Sequence, residues 1–217
     1  MLFETPFGPL NCAPQTLIVA GWTGRNRAAV DHHIEELAAI GVAPPSKVPL
    51  FYRCSASLLT QDARLQVLDK DTSGEAEPFL LKIDGKIWLG LASDQTDRSL
   101  EAHSVAHSKQ ICGKPVARNL WEFDVVADHL DELQLRSWIR EDGSWILYQD
   151  GTLASILPLG DLMAATTMAD DTAMLCGTLP AIGGVRPSGD FKMSLHDPVL
   201  KKTIEWTYSL DLLPAVS

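Results

Sequence analysis

Two glutamates one residue apart, Glu75 and Glu77, stand just before a pair of apolar runs, FLLKI and KIWLGLA, and Asp94 follows the second run. Residues i and i+2 of an extended strand share a face, so the two glutamates can converge on one point. A tight turn suits Asp84-Gly85, and a hairpin folded there returns Asp94 to the same end of the ladder. Three carboxylates around one hairpin suit a hard divalent cation, because Mg²⁺, Mn²⁺ and Ca²⁺ prefer oxygen ligands. The same spacing also fits a solvated acidic edge.

A second group lies upstream. Val30, Ile34, Leu37 and Gly41 recur at helical spacing, with Gly41 as a C-terminal stop. His33 and Glu36 therefore share one helical face, where a glutamate can orient a histidine as general base near neutral pH. Asp31, His32 and Glu35 make the stretch equally readable as a polar face, and His32 competes as the working residue. Downstream, His103 and His107 are four apart and geometrically able to grip zinc. No further ligand is evident, and Ser104 stands where HExxH requires glutamate, so residues flanking a pocket are the preferred reading.

The elements that must position these groups read as many strands with few helices. Strand patterns cover residues 17–22, 48–54 and 64–69, then the carboxylate hairpin; a helix is expected over DRSLEAHSVAHSKQ and a short one near 125–133. LQLRSWIR and WILYQDGTLA form a second hairpin, PLGDLMAATT a helix, and TAMLCGT, DFKMSLHD and KTIEWTYSLDLL strands. Residues 1–13, broken by Pro6, Gly8 and Pro9, read as an irregular arm, and KPVARNLWEF as irregular chain. The expectation is one α+β domain over residues 1–217, mostly β, with mixed or antiparallel sheets.

Composition narrows the partners. A formal charge of −10 argues against nucleic acid, which needs a basic face. The four cysteines form no CxxC pair, which disfavours a zinc knuckle or disulfide framework. No apolar run is long enough to span a bilayer and no signal-peptide pattern opens the chain, so no membrane role and a cytoplasmic location are expected.

Four segments in order resemble the fumarylacetoacetate hydrolase superfamily, through one of its uncharacterised bacterial branches. VAGWTGRNRAAVDHHIEEL is similar to a strand followed by NYxxHxxE, matching at His33 and Glu36. PSKVPLFYRCSASLL is similar to a proline-rich segment with Arg53 where lysine is usual. Glu75-Ala-Glu77 with SDQTDRSLE resembles the Glu-x-Glu and NDVTARDLQ motifs, matching at Asp94, Thr96, Arg98 and Leu100. CGTLPAIGGVRPSGD resembles TGTPAGVG…GD. Ser93, Ser99 and Glu101 depart from the family's Asn, Asp and Gln, and a hairpin replaces its longer excursion before the aspartate.

The resemblance implies a β-roll core, Mg²⁺ or Mn²⁺ (with Ca²⁺ possible) on Glu75, Glu77 and Asp94, and a His33–Glu36 base on a lid helix at residues 25–41. It also implies an active-site lysine at Lys109, with Lys114 as competitor, and a homodimer. The metal would polarise a carbonyl, and the lysine would meet a substrate carboxylate or oxyanion. Arg53, Thr96, Arg98, Gly177 and Thr178 are the candidate substrate contacts; Arg98 also reads as a structural clamp on a carboxylate. Gly183-Gly184 would let backbone approach closely, or simply form a turn. The implied activity is hydrolytic C–C cleavage of a small acidic oxo compound or diketone. Decarboxylation, hydration, isomerisation and non-catalytic binding are the alternatives.

Overall fold

A computed structural model describes residues 1–39 and 43–216, and leaves aside the side chains at positions 33, 36 and 37. Two sheets form the body. The six-stranded sheet runs in the order Trp121–Glu122, Lys86–Ser93, Ala76–Ile83, Thr172–Leu175, Thr16–Gly21, Leu50–Cys54. Its single parallel pair joins Thr172–Leu175 to Thr16–Gly21; the other neighbours are antiparallel. The five-stranded sheet runs Ser144–Thr152, Gln134–Glu141, Asp190–Asp197, Lys202–Leu213, Arg64–Leu68.

The six-stranded sheet is buried on both faces, which explains why FLLKI is a continuous apolar run and not an alternating one. One face presents Ile18, Leu80, Leu89 and Met174 to the five-stranded sheet, whose Leu135, Ile139, Met193, Leu195 and Ile204 complete the core between them. The other face carries Leu17, Val19, Phe79, Leu81 and Leu175. Residues of the N-terminal segment cover that face. Leu2–Thr5 and Gly8–Asn11 pair as a hairpin, and fully buried Phe3 stacks on Phe79 at 6.2 Å between centroids. The irregular arm expected over residues 1–13 is thus corrected: Pro6 and Gly8 shape the turn, with Gly8 at φ +108°, and do not break the strands.

Both expected hairpins form, turning at Asp84-Gly85 and Asp142-Gly143, each residue with positive φ. The single helix expected over residues 97–110 is instead two, Arg98–Glu101 and Val105–Ile111. Ser104 separates them: its backbone is extended and its hydroxyl caps the second helix through the His107 amide. KPVARNLWEF holds two short paired pieces, Lys114–Pro115 beside Leu59–Thr60 and the edge strand Trp121–Glu122. The upstream helix spans Arg27–Ala39; its expected stop at Gly41 lies outside the described residues. No helix among the described residues is long and apolar enough to cross a membrane.

Candidate metal centre

The carboxylates meet where the central hairpin of the six-stranded sheet ends. Its register pairs Ala76 with Ser93 and Glu77 with Ala92, and the Asp94 amide donates to the Glu75 carbonyl at 2.9 Å. One oxygen each from Glu75, Glu77 and Asp94 lies within 4.8 Å of the others. Glu77 and Asp94 are buried while Glu75 is partly open, so the group faces solvent from one side. This is a cradle and not a solvated edge.

Each carboxylate has its own support. Glu77 Oε2 accepts from the Gly177 amide at 2.7 Å. Burial pushes the Glu77 carboxyl well above the usual range, and the charges of Asp94 and Glu75 push the same way against Lys109. Glu75 faces Arg98 at 3.0 Å, while Arg98 also donates to Ser73 Oγ and Glu101 Oε2, each at 2.7 Å. Asp94 carries two lysines. Lys109 Nζ donates to Oδ2, and Lys114 Nζ lies 2.9 Å from Oδ1. Burial alone would raise the Asp94 carboxyl; the two ammonium groups outweigh it and hold the group well below its ordinary value. Burial opposes the Lys109 charge, but Asp94, Glu75 and Glu77 together raise its pKa above normal.

Both lysines are buried, Lys109 at 6% exposure and Lys114 at none, but they are tethered differently. Lys114 donates to the Gln95 carbonyl and pairs with Asp94 Oδ1. Lys109 sits beside Tyr52, 5.8 Å from the ring centre, and Tyr52 in turn accepts from Trp22 Nε1 at 3.2 Å. The sequence left the choice between the lysines open; the fold brings both to one carboxylate.

Other proposed contacts fall elsewhere. Arg53 is exposed and reaches Thr16 Oγ1, because strand alternation sends it away from the face that Tyr52 takes toward Lys109. Thr96 is buried and donates to the Asp94 carbonyl. Thr178 Oγ1 donates to the Ala76 carbonyl at 2.7 Å, between the two glutamates. Arg98 takes the clamp role. His33 and Glu36 belong to the helix Arg27–Ala39, and their side chains lie outside those described. His103 and His107 are exposed, and His107 Nδ1 pairs with Ser104 Oγ at 2.7 Å; the metal-capable group among the described residues is the carboxylate trio.

Sequence reasoning missed Gln149. Buried at 1% exposure on the facing sheet, it accepts from the Ala76 amide at 2.9 Å and the Ser137 hydroxyl. It also donates to Thr178 Oγ1 and the Leu179 carbonyl. With Thr178 it secures both polar backbone groups of the residue between Glu75 and Glu77. Its one legible signal is a glutamine within the otherwise apolar pattern WILYQ. Tyr208 and Gln95 form a second support: Tyr208 OH donates to Gln95 Oε1 at 2.6 Å and contacts Ser93 Oγ at 2.8 Å.

The donor set fits a hard divalent cation. It is all oxygen, and its members converge within 4.8 Å of one another. Two surface cavities, of about 290 and 530 Å³, are lined by residues outside this group.

The α+β body, mostly strands in mixed and antiparallel sheets, is the fold class expected from the sequence. Within it the chain belongs to a family described as a protein of unknown function, DUF2848, whose pattern matches residues 20–208. No curated protein matches the sequence. Among solved structures, a putative isomerase, Escherichia coli 1262, aligns at TM-score 0.68 over 97% of this chain and 99% of that one, with 15% identity. Cg1458 aligns at 0.63 over 94% and 77%, with 14% identity. A 2-keto-3-deoxyarabinonate dehydratase aligns at 0.63 over 93% and 75%, with 13% identity. At such identities the likeness is one of fold.

Proposed function

We propose that the chain is a divalent-metal-dependent enzyme of the fumarylacetoacetate hydrolase superfamily that cleaves a C–C bond in a small oxo acid or diketone by hydrolysis. The observation that carries this is the convergence of Glu75, Glu77 and Asp94, with Lys109 against Asp94. Glu75, Glu77 and Asp94 would hold Mg²⁺ or Mn²⁺, which supplies Lewis acidity toward a chelating oxo group. Lys109 meets the substrate carboxylate or the developing oxyanion. His33, oriented by Glu36 on the helix Arg27–Ala39, takes a proton from the attacking water. Water oxygen adds to the carbonyl carbon, the C–C electron pair leaves to the enolate carbon, and protonation there completes the products.

A second reading, dehydration or isomerisation through the same enolate, draws support from the dehydratase and the putative isomerase that share the fold. The active form is proposed as a cytoplasmic homodimer, and the four free cysteines suit a reducing compartment. Sedimentation showing only monomer at micromolar concentration would overturn the dimer.

Calorimetry with Mg²⁺ and Mn²⁺ on the wild type and on Glu75→Ala/Glu77→Ala tests the metal role. Binding abolished in the double variant supports it, and equal binding refutes it. With metal-loaded protein, an oxo-acid panel read for acid release, water loss or isomerisation separates the chemistries. Retained ligand binding with lost turnover in His33→Ala and Glu36→Ala marks an enzyme and not a binding protein.

A further inference from the structure

Asp94 is a proposed metal ligand with an ammonium group at each oxygen, and the two cations are not equivalent. Lys109, itself buried, belongs to a seven-residue helix beside Tyr52. Lys114 has no exposure, is tied to the Gln95 carbonyl, and sits in Lys114–Pro115, which pairs with Leu59–Thr60. A cation entering the cradle meets both charges, and Lys114 is the one tied to a backbone carbonyl and to a paired strand.

We infer that Lys114 is a built-in counter-ion of the cradle: a positioning residue that fixes Asp94 in the metal-free protein and holds down the cradle's affinity for a divalent cation. The inference rests on the metal reading above. The physical argument is linkage. Lys114 neutralises part of the carboxylate charge before any metal arrives, so it stabilises the empty cradle, and its charge then repels the incoming cation. Removing the charge destabilises the empty state more than the loaded one, so affinity rises. A lysine that merely filled space would give the opposite sign, because damage to a supporting residue weakens metal binding.

The test uses Mn²⁺ alone as probe on four full-length proteins: wild type, Glu75→Ala/Glu77→Ala, Lys114→Met and Lys114→Gln. Glutamine keeps a donor for the Gln95 carbonyl and removes only the charge; methionine removes both. Calorimetry reads affinity, and thermal unfolding reads the shift that Mn²⁺ produces. Both Lys114 variants are expected to bind Mn²⁺ at least about tenfold tighter than wild type, and to show a lower metal-free Tm with a larger Mn²⁺-induced rise. A variant that is unfolded without metal and folds on adding Mn²⁺ supports the inference equally.

If wild type binds, the double glutamate variant does not, and both Lys114 variants bind equally or more weakly, the cradle is a metal site and the counter-ion role is overturned. Lys114 variants that stay unfolded in saturating Mn²⁺ overturn it too, by making the lysine a fold requirement alone. If wild type and both Lys114 variants bind no Mn²⁺, the metal reading fails and takes the inference with it.

Discussion

The amide of Asp94 donates to the carbonyl of Glu75 at 2.9 Å, one step beyond the Ala76–Ser93 pair that ends the hairpin ladder. That bond makes Glu75 and Asp94 cross-strand partners, and directly opposed side chains in an antiparallel pair start about 5 Å apart at Cβ. Glu77, two residues along, joins the same face. The cradle is therefore an extension of sheet register, held before any ligand arrives.

Gathering three carboxylates, two of them buried, carries a penalty that Glu77 shows most clearly. Its carboxyl is raised by burial first and by neighbouring carboxylates second. A carboxyl whose folded pKa lies above its unfolded value contributes stability below the unfolded pKa and loses it as pH rises through the folded one. Glu77→Gln keeps an acceptor for the Gly177 amide and removes the charge. In metal-free protein the variant should have a higher Tm than wild type at pH 8, with the gap closing toward pH 4, while Mn²⁺ binding weakens. A variant less stable at pH 8 would refute the strained-carboxylate account.

Gly177 is required twice. Its φ is +97°, and a Cβ there would sit 1.7 Å from Thr23 Oγ1. Gly177→Ala should lower stability by about 2–4 kcal/mol, a Tm drop of roughly 5–10 °C. Adding Thr23→Ala should recover only part of the loss in thermal unfolding, since the backbone strain persists; full recovery would show that φ is immaterial.

Gln149 is the hub between the sheets. Gln149→Leu leaves the Ala76 amide and the Leu179 carbonyl without the partners they have now. The expected loss is about 2–4 kcal/mol, with faster hydrogen exchange at the Ala76 amide and weaker Mn²⁺ binding. Unchanged exchange at Ala76 would remove Gln149 from the support of the cradle.

Arg98 holds Glu75, Glu101 and Ser73 from one planar group. Lysine keeps the charge but cannot reproduce the fork. Arg98→Lys should stay folded and bind Mn²⁺ about tenfold more weakly, as loss of an orienting partner does elsewhere. Affinity equal to wild type would reduce Arg98 to a surface clamp.

The chemistry-bearing carboxylates were legible because strand periodicity is local: Glu75 and Glu77 share a face by spacing, and Asp84-Gly85 fixes the turn that returns Asp94. The strands themselves were legible for the same reason. The N-terminal hairpin was not, because prolines that forbid helix do not forbid an edge hairpin, and it takes Phe79 on the neighbouring sheet to bury Phe3. The helix break at Ser104 was hidden by continuous polar spacing, although a serine hydroxyl can cap as readily as it can ride on a helix. Whether Lys109 or Lys114 meets Asp94, that Arg53 points away while Tyr52 points in, and that Gln149 reaches across from the other sheet are long-range facts. Sequence determined the carboxylate face and most of the strands, since those depend on neighbours in the chain. Only the tertiary structure decided the cations, clamps and supports around it, since these come from residues separated by up to 115 positions, as Ser93 and Tyr208 are.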